Sequence, residues 1–357
     1  MERTHENGGG ESAMQAMVFD ACGGPEVIHA AEVPKPEVER DAALIRVRAC
    51  AMNHMDLFVR RGPADPGKKF PFWGLADVAG VVAEVGEGVR DLEAGQRVLV
   101  NPSLSCGSCA YCQAGEDPLC VAFQILGDEV CGGAAEYVAV PARNALPLPD
   151  ALPFEEAAAV PLVFLTAWRA VMTQAQLRAG EDVLVLGASG GVAGAAIQIA
   201  RLAGARVFAV TSGAAKVART RELGADVALD RSAVDFAREA LRLTDGRGVD
   251  VVVENVGTPT WKQSLQCLAR GGRLVTYGRT AGMIGETNIR ELFIKQTRII
   301  GSTMGNRREF AEVTRLIFQG RLRPVIDQVL PLGALRAAHE RLEAGAQFGK
   351  IVLTVGD

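Results

Sequence analysis

Hydrophobic and polar positions follow two different patterns along the chain, and the change falls near residue 160. Before it, short apolar runs are separated by breaks that contain Gly and Pro, for example at residues 43–48, 78–85 and 97–100. Runs of this kind predict a mostly β domain with a strongly bent, barrel-like sheet. Residues 1–13 carry no apolar periodicity, so we expect them to form a mobile extension ahead of the first strand.

Beyond residue 160 the pattern alternates between helical and continuous apolar segments. An Ala-rich helical segment at 155–172 leads into an apolar run at 182–187. Further runs and helical patterns follow, the runs at 206–210, 226–229, 249–253, 273–276 and 298–301, the helices at 191–202 and 215–223. Continuous apolar runs are typical of parallel strands buried on both faces. Six such strands separated by helices predict an α/β fold with a doubly wound, six-stranded parallel sheet.

The end of the chain has a β-like pattern again. After Gly305, a helical pattern at 308–318 precedes Pro-containing, strand-like sequence that ends at residues 349–355. This pattern predicts that the tail returns to the first domain and completes it.

Charge and composition limit the partners that we expect. The 357 residues include 38 Lys and Arg against 42 Asp and Glu, a formal net charge of −4. Such a chain has no excess positive charge for a phosphate backbone, so we expect no nucleic-acid partner. The chain has no run of eighteen apolar residues, and its N-terminus is polar, which predicts a cytoplasmic protein without a membrane partner. The eight cysteines are then thiols or metal ligands rather than disulfides.

A glycine cluster follows the apolar run at 183–186 with the spacing G-x-x-G-x-x-A. Glycines permit a tight turn there and let the backbone approach a pyrophosphate at the positive end of the next helix. A glycine cluster can be a bare turn, but its place between a strand and a helix favours a dinucleotide site. The predicted cofactor contacts in this loop are Gly187, Ser189, Gly190, Gly191 and Val192.

The residues after the second strand of this sheet indicate which dinucleotide binds. NAD-dependent enzymes place a carboxylate there to bind the ribose 2′-hydroxyl, but residues 183–221 contain no Asp or Glu. A 2′-phosphate would instead meet Ser212, Gly213 and Lys216, so NADP(H) is the predicted cofactor. The alternative for Lys216 is a solvated lysine at the start of a helix.

Four cysteines have the spacing C-x2-C-x2-C-x7-C, namely Cys106, Cys109, Cys112 and Cys120. Four thiolates this close can surround one Zn²⁺, and a fully sulfur-ligated zinc is structural because no position stays open for substrate. An iron–sulfur cluster is the chemical rival, although the last spacing does not match the usual ferredoxin run. Four unrelated buried cysteines are the remaining alternative.

Together these features resemble the medium-chain dehydrogenase/reductase superfamily, which contains zinc alcohol dehydrogenases and quinone oxidoreductases. The resemblance spans residues 14–355 and includes Asn-His-Met-Asp at 53–56, Leu-Thr-Ala-Trp at 165–168 and Gly-Lys at 349–350. It implies a GroES-like β domain at 14–162, completed by 304–357, around a Rossmann domain at 163–303. It also implies a homodimer or homotetramer that assembles through the last Rossmann strand.

One departure from this superfamily predicts the chemistry. Zinc alcohol dehydrogenases have catalytic zinc ligands where this chain has Asn53, Ala76 and Leu162, and their proton relay falls at Met55 and Phe58. Without a Lewis acid, the hydride acceptor must spread its own negative charge, as a quinone or an α,β-unsaturated carbonyl does. The sequence therefore predicts an NADPH-dependent reductase of a small-molecule quinone or activated alkene.

The resemblance also implies roles for individual residues. Asn53 and Thr166 face the nicotinamide as catalytic residues, although either could be an ordinary local hydrogen-bonding residue. The further expected cofactor contacts are His54, Asn255, Gly278, Ser302, Thr303 and Lys350. Two other functions stay open, namely an alcohol dehydrogenase with zinc held by residues such as His54 and Asp56, and a non-catalytic NADPH-binding sensor.

Overall fold

The computed structural model describes residues 13–63 and 67–356, so the extension predicted for residues 1–13 falls outside the described residues except for Ala13. The first part of the chain forms short strands, as its pattern predicted. These are β1 (Ala13–Val18), β2 (His29–Pro34), β3 (Ala42–Ala51), β4 (Asp77–Val85), β5 (Arg97–Val100), β6 (Ser103–Leu104), β7 (Gln124–Ile125), β8 (Tyr137–Pro141) and β9 (Ala145–Pro147). The helices among them are α1 (His54–Arg61), α2 (Ala110–Gln113) and α3 (Phe154–Ala158).

The second part alternates helices and strands. The helices are α4 (Pro161–Trp168), α5 (Gly191–Leu202), α6 (Ala214–Glu222), α7 (Phe236–Leu243), α8 (Thr258–Gln266) and α9 (Ile289–Lys295). The strands are β10 (Asp182–Leu186), β11 (Arg206–Thr211), β12 (Val227–Asp230), β13 (Val249–Glu254), β14 (Leu268–Thr276) and β15 (Arg298–Gly301). These six strands form one parallel sheet in the order β12-β11-β10-β13-β14-β15, which confirms the predicted doubly wound Rossmann fold.

The tail adds α10 (Arg307–Phe318), β16 (Ile326–Pro331), α11 (Leu335–Glu343) and β17 (Lys350–Thr354). The second large sheet has the order β16-β17-β3-β4-β5-β9, with β8 also paired to β3. Because β17 lies antiparallel to β3, the tail does return to the first β region, as expected.

The helical segment predicted at 155–172 is two helices rather than one. Helix α3 ends at Ala158, α4 begins at Pro161, and the chain continues as a π-helical turn at Arg169–Gln174. The break falls at Pro161 because proline has no N–H for a preceding carbonyl and is favoured at the first position of a helix.

Helices α4, α5 and α10 pack between the two sheets, and one apolar cluster reaches from Ala49 and Ala79 in the β region to Val185 and Val253 in the parallel sheet. Where these parts meet, residues of α4, the segment after β10 and the start of β17 line a cleft. Among the described residues, no helix is both long enough and apolar enough to cross a membrane.

Candidate active site

The glycine loop after β10 forms the predicted tight turn. Gly187 has φ +64°, the Gly190 N–H donates to the Gly187 carbonyl over 2.8 Å, and α5 begins at Gly191. A side chain on Gly187 would meet the Asn255 amide, since an added Cβ would lie 2.9 Å from Asn255 Oδ1. The loop and the end of β13 therefore come together at the carboxyl edge of the parallel sheet, where dinucleotides bind in such folds.

Three buried polar atoms at this edge have no hydrogen-bond partner among the described residues. They are Asn255 Oδ1, the Tyr277 hydroxyl and Ser302 Oγ. The Ser302 N–H donates to the Thr276 carbonyl, so Ser302 continues directly from the end of the sheet. Since buried polar groups normally find partners, these atoms fit a site that is completed by a polar ligand such as a dinucleotide.

The other predicted loop residues also lie at this edge. The Ser189 carbonyl accepts from the Gly349 N–H over 2.9 Å, which ties the loop to the tail. Val192 is half-buried in the first turn of α5, and an added Cβ on Gly278 would lie 3.3 Å from the Asn255 carbonyl.

The predicted catalytic residue Asn53 lies in a buried polar cluster with Asp77 and Lys350. Asn53 Nδ2 donates to Asp77 Oδ2 over 2.9 Å, while Asn53 Oδ1 accepts from Lys350 Nζ over 2.6 Å. Lys350 Nζ also lies 2.7 Å from Asp77 Oδ2. The three side chains are at most 6% exposed, so the orientation of the Asn53 amide is fixed on both of its ends.

Asp77 links the three positions that hold the catalytic zinc in zinc alcohol dehydrogenases. It follows Ala76 in the chain, contacts Asn53 through one oxygen, and accepts from the Leu162 N–H over 2.7 Å through the other. The converging side chains are therefore an amide, a methyl and an isobutyl group. None of these is a usual zinc ligand, and the nearby carboxylate is paired with an ammonium, so the donor set does not fit a catalytic zinc.

Asp56 and His54 do not form a metal site either. Asp56 accepts from the backbone N–H groups of Asn53 and Leu75, over 2.6 and 3.0 Å, and burial raises its pKa to about 7. The His54 ring packs edge-on against Phe58, with centroids 5.0 Å apart, and burial lowers its pKa. Among the described residues, the four predicted cysteines are the only group of three or more ligand side chains close enough to share an ion.

Thr166 contacts the segment that follows β15. Its Oγ1 donates to Met304 Sδ over 3.7 Å, and Met304 is held at φ +44°. Thr303 is exposed beside it. The structure thus brings Thr166 together with the Ser302–Thr303–Met304 segment. That both face the nicotinamide stays a prediction.

The amine of Lys350 does not point where the sequence predicted. Its three N–H donors go to Met52, Asn53 and Asp77 oxygens, all within 2.7 Å, so none is left for a cofactor phosphate. Only its methylene groups border the glycine loop, where an added Cβ on Gly191 would lie 2.9 Å from Lys350 Cδ. Burial explains the difference, because an ammonium that is 3% exposed needs an anionic partner inside the protein.

One cation beside the end of β11 was not predicted from the sequence, namely Arg231, which follows β12. Arg231 Nε donates to Ser212 Oγ over 2.9 Å, and Ser212 precedes Gly213 in the chain. Lys216, by contrast, donates to the Gly345 carbonyl over 2.5 Å. Asp230 brings a negative charge to the same end, and hydrogen bonds from Ser232 and then Gly213 hold its pKa below the usual range. Arg231 was missed because it follows the third strand, which parallel pairing sets beside the second.

The four predicted cysteines converge in an irregular lobe between β6 and β7, residues 103–125, here called the cysteine lobe. Their Sγ atoms all lie within 4.8 Å of one another, and three of the separations are 3.5, 3.5 and 3.9 Å. Sulfurs in a tetrahedral Zn–S₄ site are about 3.8 Å apart, given Zn–S bonds of about 2.3 Å. Backbone N–H groups of Ser108 and Cys109 lower the pKa of Cys106 to about 6, which favours a thiolate. The lobe therefore fits one zinc ion.

Comparison with known proteins gives two family models on the two halves of the chain. The alcohol dehydrogenase GroES-like domain model matches residues 39–150, and the zinc-binding dehydrogenase model matches residues 191–319. The quinone oxidoreductase of Rattus norvegicus is 30% identical over 352 residues, which cover 96% of this chain and 98% of the relative.

Solved structures match over the same length. The crystal structure of an NAD-dependent alcohol dehydrogenase has a TM-score of 0.93 at 44% identity, covering 96% of this chain and 100% of the other. The 2-octenoyl-CoA carboxylase reductase CinF, in complex with NADP and 2-octenoyl-CoA, has a TM-score of 0.90 at 29% identity, covering 96% and 88%. The chain therefore belongs to the medium-chain dehydrogenase/reductase superfamily of oxidoreductases.

Proposed function

We propose that this protein is an NADPH-dependent reductase that delivers hydride to a quinone or an α,β-unsaturated carbonyl without a catalytic metal. In this proposal, residues 14–162 and 304–357 form the catalytic unit, and residues 163–303 form the cofactor-binding unit. The observation that carries the proposal is the Asn53–Asp77–Lys350 cluster, which occupies the position of the catalytic zinc of zinc alcohol dehydrogenases with a fixed amide.

Within the cluster, one N–H of the Asn53 amide remains available as a hydrogen-bond donor. Its Oδ1 accepts from Lys350 and one N–H donates to Asp77, so the second N–H has no protein acceptor among the described residues. A fixed neutral donor can stabilise an oxygen that gains charge, but it cannot acidify an alcohol as a metal does. The absence of an acidifying group favours a hydride acceptor that can delocalise the negative charge itself, such as a quinone or an α,β-unsaturated carbonyl.

The chain's residues support the reaction by position. NADPH, when bound, would supply a hydride from its nicotinamide ring and be left as NADP⁺. With an α,β-unsaturated carbonyl, the hydride would add to the β-carbon while the π electrons move to the carbonyl oxygen. In this proposal the Asn53 N–H donates to that oxygen, and Thr166, whose Oγ1 donates to Met304 Sδ, contacts the nicotinamide. The α-carbon then takes a proton from solvent, so the acceptor gains two hydrogens in total.

Three observations support NADP(H) as the cofactor. The glycine loop and the unpartnered atoms of Asn255 and Ser302 fit a dinucleotide. The guanidinium of Arg231 lies at Ser212, where a 2′-phosphate would sit in this fold. The CinF structure was solved with NADP. Asp230 opposes this assignment because its carboxylate lies at the same end.

We also propose one structural Zn²⁺ in the cysteine lobe and a homodimer as the minimal assembly. A zinc ion would hold the lobe together, since two-residue strands and a four-residue helix bury little apolar surface. Dimerisation is supported by apolar side chains exposed near the edge strand β15, which are Met283, Ile284, Ile289, Phe293 and Ile299. Light scattering on Phe293→Lys, compared with Tyr111→Lys, tests this surface; an unchanged dimer would exclude it.

A substrate screen tests the proposed reaction. Nucleotide oxidation is followed with quinones, enones, 2-enoyl thioesters, simple aldehydes and simple ketones, using NADPH and NADH in parallel. We expect turnover only with the first three classes, preference for NADPH, and one zinc per chain by elemental analysis. Turnover confined to simple carbonyls or alcohols, or two zincs per chain, would instead support an alcohol dehydrogenase, the activity for which one similar structure is named. Nucleotide binding without any turnover would support a sensor.

A further inference from the structure

We infer that the cysteine lobe positions the nicotinamide end of the cofactor site through a buried Arg169–Glu309 pair, and so controls nucleotide affinity as well as stability. This inference rests on the proposed function only in that the cleft binds a nicotinamide dinucleotide. It assigns Arg169, Glu116 and Asn306 as positioning residues, which act on the site through other residues.

The first link joins the lobe to the helix that carries Thr166. Glu116, which lies between two of the four cysteines, accepts from Arg169 Nη2 over 2.7 Å. Arg169 is 4% exposed and lies three residues after Thr166, directly beyond the end of α4. Residues three apart in a helix lie on the same face. A displacement of Arg169 by the lobe would therefore also displace Thr166.

The second link joins the lobe to the start of α10. Asn306 Nδ2 donates to the Gly115 carbonyl over 2.8 Å, and the Arg307 N–H donates to Asp117 Oδ2 over 3.1 Å. Asn306 also caps α10, because its Oδ1 accepts from the Glu309 N–H. The lobe thus holds the first residues of α10 through hydrogen bonds to a side chain and to the backbone.

The two links meet at Glu309, which is 1% exposed. Its carboxylate accepts from Arg169 Nη1 over 3.1 and 3.2 Å and from Thr173 Oγ1 over 2.5 Å. One side chain therefore joins the π-helical turn after α4 to the start of α10. A buried pair with several hydrogen bonds fixes both segments in one arrangement.

The segment held in this way leads directly to the cofactor site. Gly305 precedes the cap residue Asn306 and packs closely, since an added Cβ would lie 2.4 Å from Leu165 Cδ1. Met304 precedes Gly305 and accepts from Thr166 Oγ1. Ser302, with its unpartnered hydroxyl, lies two residues further back. A loosened lobe would release the α10 start, and the Ser302–Met304 segment would lose its fixed position.

Two variants weaken the links at the lobe side and leave the buried pair intact. Glu116→Ala removes the contact to Arg169, whose charge stays neutralised by Glu309. Asn306→Ser keeps a hydroxyl that can cap α10 but cannot reach Gly115, so only the bond from Arg307 to Asp117 remains in the second link. The matched control is Arg143→Met, because Arg143 Nη2 donates to the Ser105 carbonyl in the lobe and touches neither α4 nor α10 in the described contacts.

The measurement is the dissociation constant for NADPH and for NADH from nucleotide fluorescence, with zinc content and Tm determined on the same samples. We expect Kd to rise about three- to tenfold in each link variant and less than twofold in Arg143→Met, at unchanged zinc content. Link variants with the wild-type Kd, or a control with the same rise, would overturn the inference while the proposed function stands. A wild-type protein that binds neither nucleotide would refute both.

Discussion

Lys350 and Asp77 form an ion pair, with Nζ and Oδ2 2.7 Å apart, although 273 residues separate them in the chain. Lys350 is 3% exposed and Asp77 is fully buried. Both also bind the Asn53 amide, so one ion pair determines the orientation of the side chain that we place beside the substrate. Because each charge depends on the other inside the protein, the pair contributes more to specific geometry than to net stability.

Lys350→Met should destabilise the protein strongly. The substitution leaves Asp77 as a buried charge without a counterion, at a cost of about 3–5 kcal/mol in the free energy of unfolding. Urea unfolding measures this cost. The double variant Lys350→Met/Asp77→Asn should recover most of the lost stability but not the activity, because the Asn53 amide is then no longer fixed. The more exposed Lys295→Met is the control, and a loss below about 1 kcal/mol for Lys350→Met would contradict the pair's role.

Asn53→Ala should reduce the rate without weakening cofactor binding. The variant removes the hydrogen-bond donor for the developing oxyanion, an interaction whose loss typically reduces kcat about 10²-fold. Steady-state kinetics with an enone, together with the Kd for NADPH, separate the two effects. Asn288→Ala, at the exposed start of α9, should change neither. A kcat for Asn53→Ala within twofold of wild type would exclude the donor role.

Arg231→Ala should reduce the preference for NADPH. The guanidinium at Ser212 is the cation that we place beside the 2′-phosphate, so its loss should raise the KM for NADPH about tenfold and leave the KM for NADH within twofold. Arg238→Ala on α7 serves as the control for a general loss of positive charge. An equal rise in KM for NADPH and NADH would mean that Arg231 does not contact the 2′-phosphate.

His339 should make the protein lose stability in mild acid. Burial lowers the pKa of His339 to about 3, and Arg60 and Arg61 repel its proton as well. In the unfolded chain histidine titrates near its ordinary pKa of about 6.5. Below pH 6.5 the imidazole of His339 therefore becomes protonated in the unfolded state but stays neutral in the folded state. The contribution of His339 to the free energy of unfolding is therefore fully present above pH 6.5 and is lost as the pH falls toward 3. Between pH 6.5 and 5 the free energy of unfolding should fall by about 2 kcal/mol.

Unfolding curves over this pH range test the histidine. His339→Gln should flatten the acid side of the profile, because glutamine binds no proton in either state. His29→Gln, which removes an exposed histidine instead, serves as the comparison. The same slope in wild type and His339→Gln would assign the acid sensitivity to other groups.

The sequence predicted the features that depend on neighbouring residues. The glycine turn at Gly187, the helix at 191–202 and the four-cysteine cluster follow from local patterns, and each agrees with the structure. Contacts between distant side chains could not be predicted in this way. Nothing near Arg231 in the chain indicates that parallel pairing sets it beside Ser212, and the buried Arg169–Glu309 pair joins residues 140 positions apart.

Lys350 illustrates the same limit. The resemblance to the superfamily implied a phosphate contact for Lys350, and the backbone there does lie beside the glycine loop, because the Gly349 N–H donates to the Ser189 carbonyl. The direction of the amine depends on Asp77, whose burial only the folded sheet reveals. Motifs therefore located the site, whereas the partners of its charged groups required the three-dimensional arrangement.

Strand β17 lies inside its sheet, between β16 and β3, and it carries Lys350. On the ribosome, the six strands of the nucleotide-binding sheet emerge by residue 301, long before this strand does. Until β17 pairs with β3, the Asn53 amide therefore lacks its ammonium partner. Loss of strand β17 would therefore remove the ammonium beside the Asn53 amide and would also break the sheet between β16 and β3.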